Sequence, residues 1–275
     1  MPRNARNGSV STGDAEMSYV SFGRGEKAFV ILPGLSDGLA TVKGKARLLS
    51  GPYRIFFEKY TVYMFSRKDP LPMGCTIRQM AEDQAKALEA LGLEKVCLMG
   101  VSEGGMIAQY LAIDHPELVE KLVIAVSAPC RNELIEENIN KWISLAKQGS
   151  HKQLMIDTAE KSYSPKYLIK YRTAYPIIGL IGKPKSYDRF LANAQAILGF
   201  DATSELERIN CPTLIIGGED DKIVGIDASR KLYAAIESSE LYIYPGLGHA
   251  AYEEARDFNR RVFEFLEKGN SQLRD

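Results

Sequence analysis

Short runs of apolar, β-branched residues alternate along the chain with longer segments of helical periodicity. The runs predict buried strands, which in the first half of the chain are Lys27–Leu32, Tyr60–Phe65, Lys95–Val101 and Leu122–Val126. Apolar residues at helical spacing predict two helices among these strands, Thr76–Leu91 and Glu103–Asp114. Because such alternation requires right-handed crossovers, we expect an α/β fold with a mostly parallel sheet flanked by helices.

The alternation stops after Pro129 and resumes near residue 209. Residues 130–208 show helical patterns broken by prolines and glycines, and no convincing strand. Beyond them the pattern predicts a strand at Thr213–Gly217, a helix at Asp227–Ser238, a strand at Leu241–Tyr244 and a helix at Tyr252–Lys268. We therefore predict one α/β core domain, residues 17–129 and 209–275, with residues 130–208 inserted between two strands as a helical lid.

Residues 1–16 contain no apolar segment of the kind found in secretory signals. They are polar and rich in Asn, Ser and Gly, so we expect a flexible N-terminal tail. No apolar run approaches the roughly 18 to 20 residues of a membrane span, and no membrane association is expected. The four scattered cysteines form no C-x-x-C pair, which argues against a zinc site and favours a cytoplasmic protein.

The composition is that of an ordinary globular protein, with 45% hydrophobic and 25% charged residues among 275. The 35 Lys and Arg residues balance 35 Asp and Glu residues. A nucleic-acid platform needs a basic excess to neutralise phosphates. We therefore expect no nucleic-acid partner.

The segment Gly100-Val101-Ser102-Glu103-Gly104 has the form G-x-S-x-G between a predicted strand and a predicted helix. This strand–turn–helix setting is that of a nucleophile elbow. The serine must sit in a strained turn that lifts its hydroxyl above the sheet, so the positions two before and two after it must be nearly free of side chain. Gly100 and Gly104 meet that demand, which makes Ser102 the candidate nucleophile. The alternative is an idle serine in a glycine-rich turn, which this setting disfavours.

A serine hydroxyl needs a base, and the chain has three histidines. His115 ends the helix after the elbow, and His151 lies among polar residues of the insertion, where we expect a solvated turn. His249 follows the last predicted strand in a glycine-containing loop, and loops after parallel strands share one edge of the sheet, so His249 can meet Ser102.

The loop after Thr213–Gly217 lies at the same edge and offers three acids to orient the imidazole: Glu219, Asp220 and Asp221.

From about Tyr19 to Leu266 the chain resembles the α/β-hydrolase-fold family, in its large group of serine hydrolases with a helical lid. The order of nucleophile, acid and histidine matches that family. Its acid usually falls in a G-x-x-D-x-[ILV]-[VI] stretch, which residues 218–224 match with Asp221 in the acid position. Asp220, one residue away, is the alternative acid. The resemblance implies a triad of Ser102, His249 and Asp221 that works without a cofactor or metal.

The resemblance also implies an oxyanion hole formed by the backbone N–H groups of Glu103 and Leu35. The chain departs from the family at two places. It has Pro33-Gly34 where many members have His-Gly, and Glu103 where a neutral residue is common. We expect the Glu103 side chain either to point into the pocket, where it repels an anionic substrate, or to hydrogen-bond the lid.

A helical lid over the strand ends usually encloses an apolar pocket. We therefore expect a small-molecule substrate, a small and partly hydrophobic carboxylic ester or related acyl compound, hydrolysed through an acyl-enzyme as in carboxylesterases. The basic residues Lys183, Lys185 and Arg189 are expected to be solvated, and the alternative is that they bind an acid group of the substrate. Two alternatives stay open: an aminopeptidase of the proline-iminopeptidase kind, in which Glu103 holds the substrate amine, and a triad-bearing small-molecule receptor with little turnover.

Overall fold

A mixed β-sheet forms the centre of the molecule. The computed structural model describes residues 4–12, 15–180 and 182–269, and eight strands within them make up the sheet. The strands are β1 Arg6–Thr12, β2 Ala15–Gly23, β3 Lys27–Leu32, β4 Tyr60–Phe65, β5 Val96–Val101, β6 Val119–Ala125, β7 Thr213–Gly218 and β8 Ser239–Tyr244. Parts of the expected tail, lid and core, at positions 1–3, 13, 14, 181 and 270–275, lie outside the described residues.

The strand order across the sheet is β1-β2-β4-β3-β5-β6-β7-β8. The five pairings from β4 to β8 are parallel, whereas β1–β2 and β2–β4 are antiparallel. Helices cover both faces of this sheet. The predicted α/β fold with a mostly parallel sheet is therefore confirmed.

The expectation of a flexible tail is wrong for Arg6–Thr12. These residues form β1, which pairs with β2 along its whole length, and β2 was not predicted either. The physical reason is that an edge strand buries one face only, so its sequence alternates and stays largely polar. Val10 and Met17 are buried, while Ser9 and Ser11 beside Val10 are exposed.

The helices found in the same described residues lie between and around the strands. They are α1 Ala46–Leu49, α2 Ile77–Ala90, α3 Glu103–Asp114, α4 Glu133–Lys147, α5 His151–Ser162, α6 Pro165–Tyr171, α7 Tyr175–Ile178, α8 Asp188–Leu198, α9 Ile226–Ala235, α10 Ala251–Glu254 and α11 Phe258–Glu267. Short 3-10 turns occur at Leu35–Gly38, Arg54–Phe56, Pro116–Leu118, Arg172–Ala174 and Thr203–Arg208. The predicted helix Tyr252–Lys268 is in fact two helices, α10 and α11, because the backbone becomes extended at Ala255.

Alternate residues of the central strands face two separate hydrophobic layers. In β5, Leu98 packs in the layer that contains Leu111 of α3, and the next residue, Met99, packs in the layer that contains Phe265 of α11. This two-residue period is the expected consequence of side chains pointing to opposite faces of a strand. Because β3, β5, β6, β7 and β8 pair in parallel, their carboxyl ends lie along one edge of the sheet.

The insertion between β6 and β7 contains α4 to α8. Its two ends are hydrogen-bonded to each other: the Arg131 N–H donates to the Phe200 carbonyl oxygen at 3.1 Å, and the Ala202 N–H donates to the Pro129 carbonyl oxygen at 2.9 Å. Inside the insertion, α4 packs against α8. The insertion therefore leaves and re-enters the core at a single place.

Candidate active site

Ser102 lies in the turn between β5 and α3. Its φ of 54° and ψ of −120° place it in a conformation that residues other than glycine rarely adopt. A Cβ on Gly104 would lie 2.0 Å from the Leu32 carbonyl oxygen, and a Cβ on Gly100 would lie 2.2 Å from the Gly104 carbonyl oxygen. Both positions therefore require glycine, and the tight turn holds Ser102 at the carboxyl ends of the strands.

His249 follows β8, and its ring lies between Ser102 and Asp221. Nε2 is 2.9 Å from Ser102 Oγ, and Nδ1 is 2.8 Å from Asp221 Oδ2. Both His249 and Asp221 are buried. An imidazole that donates from Nδ1 to the carboxylate keeps the Nε2 lone pair directed at the serine hydroxyl, which is the geometry of a general base.

Asp221 follows β7 and is held by its own loop. Its Oδ1 accepts hydrogen bonds from the N–H groups of Ile223 at 2.8 Å and Val224 at 3.0 Å. Burial by itself raises the pKa of this carboxyl, but the nearby His249 and these N–H donors outweigh burial and leave the pKa below its ordinary value. Asp221 is therefore ionised beside the imidazole at neutral pH.

The two neighbouring acids, Glu219 and Asp220, are exposed. Glu219 Oε2 accepts the Gly246 N–H at 2.9 Å and so braces the loop that carries His249. The backbone N–H of Asp220 donates to the Leu247 carbonyl oxygen at 2.9 Å in the same loop. In the described part of the chain neither side chain is hydrogen-bonded to His249, so geometry favours Asp221 over Asp220 as the partner of the imidazole.

The other two histidines lie away from Ser102. His115 caps the C-terminus of α3, as expected, with Nε2 2.8 Å from Glu82 Oε2. The expectation of a solvated His151 is wrong, because this residue begins α5 and is 3% exposed, with its ring 6.1 Å from the Tyr187 ring. The preceding polar residues form the turn, and the histidine itself belongs to a packed helix.

Leu35 and Glu103 both lie close to the nucleophile. Leu35 begins a 3-10 turn and Glu103 begins α3, and both line a cleft together with Ser102 and His249. A Cβ on Gly34 would lie 3.2 Å from the Ser102 Cβ, so the Leu35 loop passes directly beside the nucleophile. Within residues 4–12, 15–180 and 182–269, neither backbone N–H donates to a carbonyl oxygen. Two such N–H groups beside a serine suit the binding of a negatively charged oxygen.

The Glu103 side chain occupies neither of the two places expected for it. It is fully buried, and its Oε2 lies 3.1 Å from Nη2 of Arg67, whose side chain is 4% exposed. Burial raises the pKa of Glu103 to about 7, although Arg67 opposes that rise. Sequence reasoning missed this pair because Arg67 follows β4, which is linked to β5 only through β3.

The raised pKa of Glu103 makes folding stability depend on pH. The folded state keeps this proton up to about pH 7, whereas the unfolded chain releases it near pH 4.3. The contribution to stability is therefore complete below about pH 4 and is lost as the pH rises towards 7. The Glu103→Gln variant cannot titrate at this position. We therefore expect the difference in free energy of unfolding, variant minus wild type, to increase by on the order of 2–3 kcal/mol from pH 5 to pH 8. Urea unfolding of both proteins across this range measures the effect, and a constant difference would contradict it.

A cleft of about 110 Å³ lies beside Ser102, between the core and the lid. Its apolar lining comes from both: Leu35, Met106, Ile135, Ile139, Trp142, Ile197, Ile223 and Val224. Thr158, Ser162 and Tyr252 add hydroxyl groups. No lysine or arginine lines the cleft among the residues that the structure describes. The cleft thus offers a ligand a mostly apolar wall without a lysine or arginine among the described residues.

In the described part of the chain, every helix is too short or too polar to cross a bilayer. The same residues include no group of three His, Cys, Asp or Glu side chains placed to hold a metal ion. Cys75 and Cys97 are buried, Cys130 and Cys211 are partly exposed, and all four are free thiols.

The sheet flanked by helices, the glycine-flanked serine turn and the histidine–acid pair at one edge together define the class of α/β proteins with a serine at a strand–turn–helix elbow. The chain belongs to the alpha/beta hydrolase fold family, which it matches over residues 28–256. The resemblance predicted from the sequence is therefore confirmed.

Known relatives of this chain include hydrolases. A 2-hydroxy-6-oxononadienedioate/2-hydroxy-6-oxononatrienedioate hydrolase of Pseudomonas putida is 28% identical over 269 residues, which cover 92% of each chain. An alpha/beta hydrolase enzyme from a Medee basin deep-sea metagenome library has a TM-score of 0.83 at 20% identity, covering 96% of this chain and 98% of that one. The enol-lactonase of Burkholderia xenovorans LB400 has a TM-score of 0.81 at 18% identity, covering 95% and 100%. The two solved structures show a shared fold.

Proposed function

We propose that this chain is a serine hydrolase that cleaves a small, partly hydrophobic carboxylic ester or related acyl substrate without a cofactor. The main support for the proposal is that His249 is hydrogen-bonded to both Ser102 and Asp221 beside an apolar cleft. Both hydrogen-bond distances fall within the roughly 2.6–3.2 Å that proton transfer to a general base requires. Membership of a family whose named relatives are hydrolases supports the same conclusion.

In the first half-reaction, Ser102 Oγ attacks the carbonyl carbon of the ester while His249 Nε2 takes the hydroxyl proton. The carbonyl electron pair moves to oxygen, and the N–H groups of Leu35 and Glu103 bind the resulting oxyanion. Asp221 stabilises the imidazolium. When the tetrahedral intermediate collapses, the bond to the alkoxy group breaks, and His249 returns the proton to that oxygen so that the alcohol leaves.

In the second half-reaction, water attacks the acyl-enzyme and His249 accepts its proton. Collapse of the second tetrahedral intermediate breaks the bond between the acyl carbon and Ser102 Oγ, which regains its proton from His249. The carboxylic acid is released and the enzyme returns to its starting state. Asp221 stays ionised throughout, because its interactions with His249 and the loop N–H groups keep its pKa low.

The lining of the cleft favours an uncharged acyl group. A carboxylate placed there would lose its water and would find no lysine or arginine among the described lining residues, which costs several kcal/mol for a buried ion. The substrates after which the Pseudomonas putida relative is named are dioates, that is, dicarboxylates. Similarity to that relative makes a dicarboxylate the second candidate substrate, and the cleft argues against it.

We expect p-nitrophenyl butyrate to be hydrolysed with a kcat/KM about 100-fold above that of p-nitrophenyl hemisuccinate, because burying the extra carboxylate costs roughly 3 kcal/mol. The methyl ester of the hemisuccinate is the matched control, since it keeps the four-carbon acyl chain and removes the charge. Its rate is expected to approach that of the butyrate. Equal rates for the butyrate and the hemisuccinate, or a preference for the hemisuccinate, would favour the dicarboxylate.

The two other interpretations differ from an esterase in specific ways. An aminopeptidase needs an anchor for the substrate ammonium group, and Glu103, the residue considered for it, is fully buried against Arg67. A receptor shares every feature of this site and differs in turnover alone.

Steady-state hydrolysis of p-nitrophenyl esters of increasing acyl length tests the proposal, with Ser102→Ala as the control. Sustained turnover by the wild type and not by the variant supports a serine hydrolase, and the optimum length measures the depth of the cleft. A single burst equal to the enzyme concentration would support the receptor. Equal turnover by both proteins would reject Ser102 as the nucleophile.

A further inference from the structure

A side chain of the lid holds the loop beside the nucleophile. Arg189 lies in the first turn of α8, and its side chain is 13% exposed, so the expectation that it is solvated is wrong. Its Nη2 donates to Asp37 Oδ2 at 2.6 Å, and its Nε donates to the Asp37 carbonyl oxygen at 3.2 Å. The same guanidinium donates to the carbonyl oxygens of Arg67 and Lys68, just after β4. One lid residue therefore holds two loops of the core.

Asp37 explains why this contact matters. Its side chain is fully buried, and it lies in the 3-10 turn Leu35–Gly38, two residues after Leu35. Its Oδ2 also accepts the backbone N–H of Arg67 at 3.0 Å. Without the guanidinium of Arg189, a buried carboxylate keeps only a backbone donor, which is strongly destabilising unless the turn moves towards water. Loss of Arg189 is therefore expected to displace the turn.

The backbone of α8 also rests against this turn. A Cβ on Gly38 would lie 2.8 Å from the Phe190 Cα, so the helix and the turn are in direct contact. Inside α8, Asn193 Nδ2 donates to the Arg189 carbonyl oxygen at 2.7 Å, and Asn193 is fully buried. The position of α8 on the core and the position of the turn are thus linked by packing as well as by charge.

The same group of charges reaches the other N–H donor of the candidate oxyanion hole. Arg67 Nη2 lies 3.1 Å from the carboxyl of Glu103, whose backbone N–H is that donor. From the lid to α3, Arg189 pairs with Asp37, Asp37 accepts the backbone N–H of Arg67, and the Arg67 guanidinium lies beside Glu103. All four side chains are largely buried. Both donors are therefore connected to α8 through this series of buried contacts.

We propose that Arg189 is a positioning residue for the oxyanion hole, which is complete only while α8 is seated on the turn Leu35–Gly38. The inference rests on the proposed serine-hydrolase function and adds a lid residue that acts on the transition state. Arg189 does not line the cleft in the described part of the chain, so it acts through the turn. Such donors work at about 2.7–3.1 Å from the oxyanion, and losing one costs about 10²–10³ in kcat. A displacement of about 1 Å has an effect of similar size.

The test compares Arg189→Met with the wild type on p-nitrophenyl butyrate. Lys185→Met is the matched control, because Lys185 is an exposed cation just before the same helix. We expect kcat to fall about 10²-fold in Arg189→Met, with KM within about twofold, and no change in Lys185→Met. Arg189→Lys keeps the charge and loses the planar fork of donors, so its kcat is expected to fall about tenfold.

Two inhibitors separate positioning of the hole from general loosening of the lid. A trifluoromethyl ketone adds to the serine and forms an oxyanion, whereas the methyl ketone of the same chain length binds without forming one. We expect Arg189→Met to weaken the trifluoromethyl ketone by the same factor as kcat and to leave the affinity of the methyl ketone unchanged. Equal weakening of both inhibitors would show that Arg189 only shapes the cleft.

Three further outcomes are decisive. A folded Arg189→Met variant with wild-type kcat, or with a higher KM and unchanged kcat, would overturn the inference. If Arg189→Met does not fold, Arg189→Lys decides the question, and wild-type kcat in that variant would overturn the inference as well. Hydrolysis by Ser102→Ala at the wild-type rate would instead reject the proposed function, whatever the Arg189 variants do.

Discussion

Replacing Ser102 with alanine is expected to lower kcat on p-nitrophenyl esters by about 10⁶-fold, because no acyl-enzyme can form without Oγ. The residual rate comes from the oxyanion hole and from substrate binding. His249→Ala is expected to cost about as much. The double variant should be no slower than either single variant, since the serine and the histidine act as one unit.

The Ser102→Ala substitution is expected to leave the folded state unchanged, so a loss of activity can be separated from a loss of structure. Among the described residues, the Ser102 side chain is hydrogen-bonded to His249, and alanine keeps the Cβ that packs beside Gly34. Circular dichroism and thermal unfolding of Ser102→Ala should therefore match the wild type. Mass spectrometry of acid-quenched wild type should find the acyl group on the peptide that contains Ser102. A folded variant with more than about a tenth of wild-type kcat would contradict the proposed nucleophile.

Asp221→Asn is expected to lower kcat by about 10⁴-fold, because an asparagine amide favours the imidazole tautomer that cannot take the serine proton. The amide oxygen can still accept the N–H groups of Ile223 and Val224, so the loop should keep its shape. The loss is therefore expected in kcat, with little change in the free energy of unfolding. Initial rates and urea unfolding measure the two quantities separately.

Asp220→Asn is the matched control for that substitution, since it removes an exposed acid one residue away. Its kcat is expected to stay within about twofold of the wild type, because exposed charges interact weakly across water. The opposite pattern, with Asp220→Asn inactive and Asp221→Asn unaffected, would transfer the acid role to Asp220.

Much of the candidate site could be predicted because its signals are local in the chain. The elbow requires glycines for steric reasons, and these are Gly100 and Gly104, two residues before and two residues after Ser102. The positions of His249 and the acid loop followed from one rule, that loops after parallel strands lie at the same edge of the sheet. The structure places His249 within hydrogen-bonding distance of both Ser102 and Asp221.

What the sequence could not reveal depends on contacts between distant segments. The position of Arg189 is decided by Asp37, which is 152 residues away, and periodicity within α8 says nothing about that partner. Glu103 was expected to face the pocket or the lid. This prediction was wrong because its partner, Arg67, lies in another loop. The edge strand Arg6–Thr12 was missed for a related reason, since its mostly polar residues indicate a strand only when β2 lies beside them.

The hydrogen-bonded ends of the lid make it an exchangeable module. The Ala202 N–H donates to the Pro129 carbonyl oxygen, so the two ends of the insertion are joined by residues at its base and not by its helices. Doubling the length of the insertion costs only about 0.6 kcal/mol in loop entropy. Ser102, Asp221 and His249 all lie outside this module, so evolution or an engineer can replace the roof of the cleft without touching them. The bond between Arg189 and Asp37 limits that freedom. A transplanted lid must bring its own arginine, or the core must give up its buried aspartate in the same step.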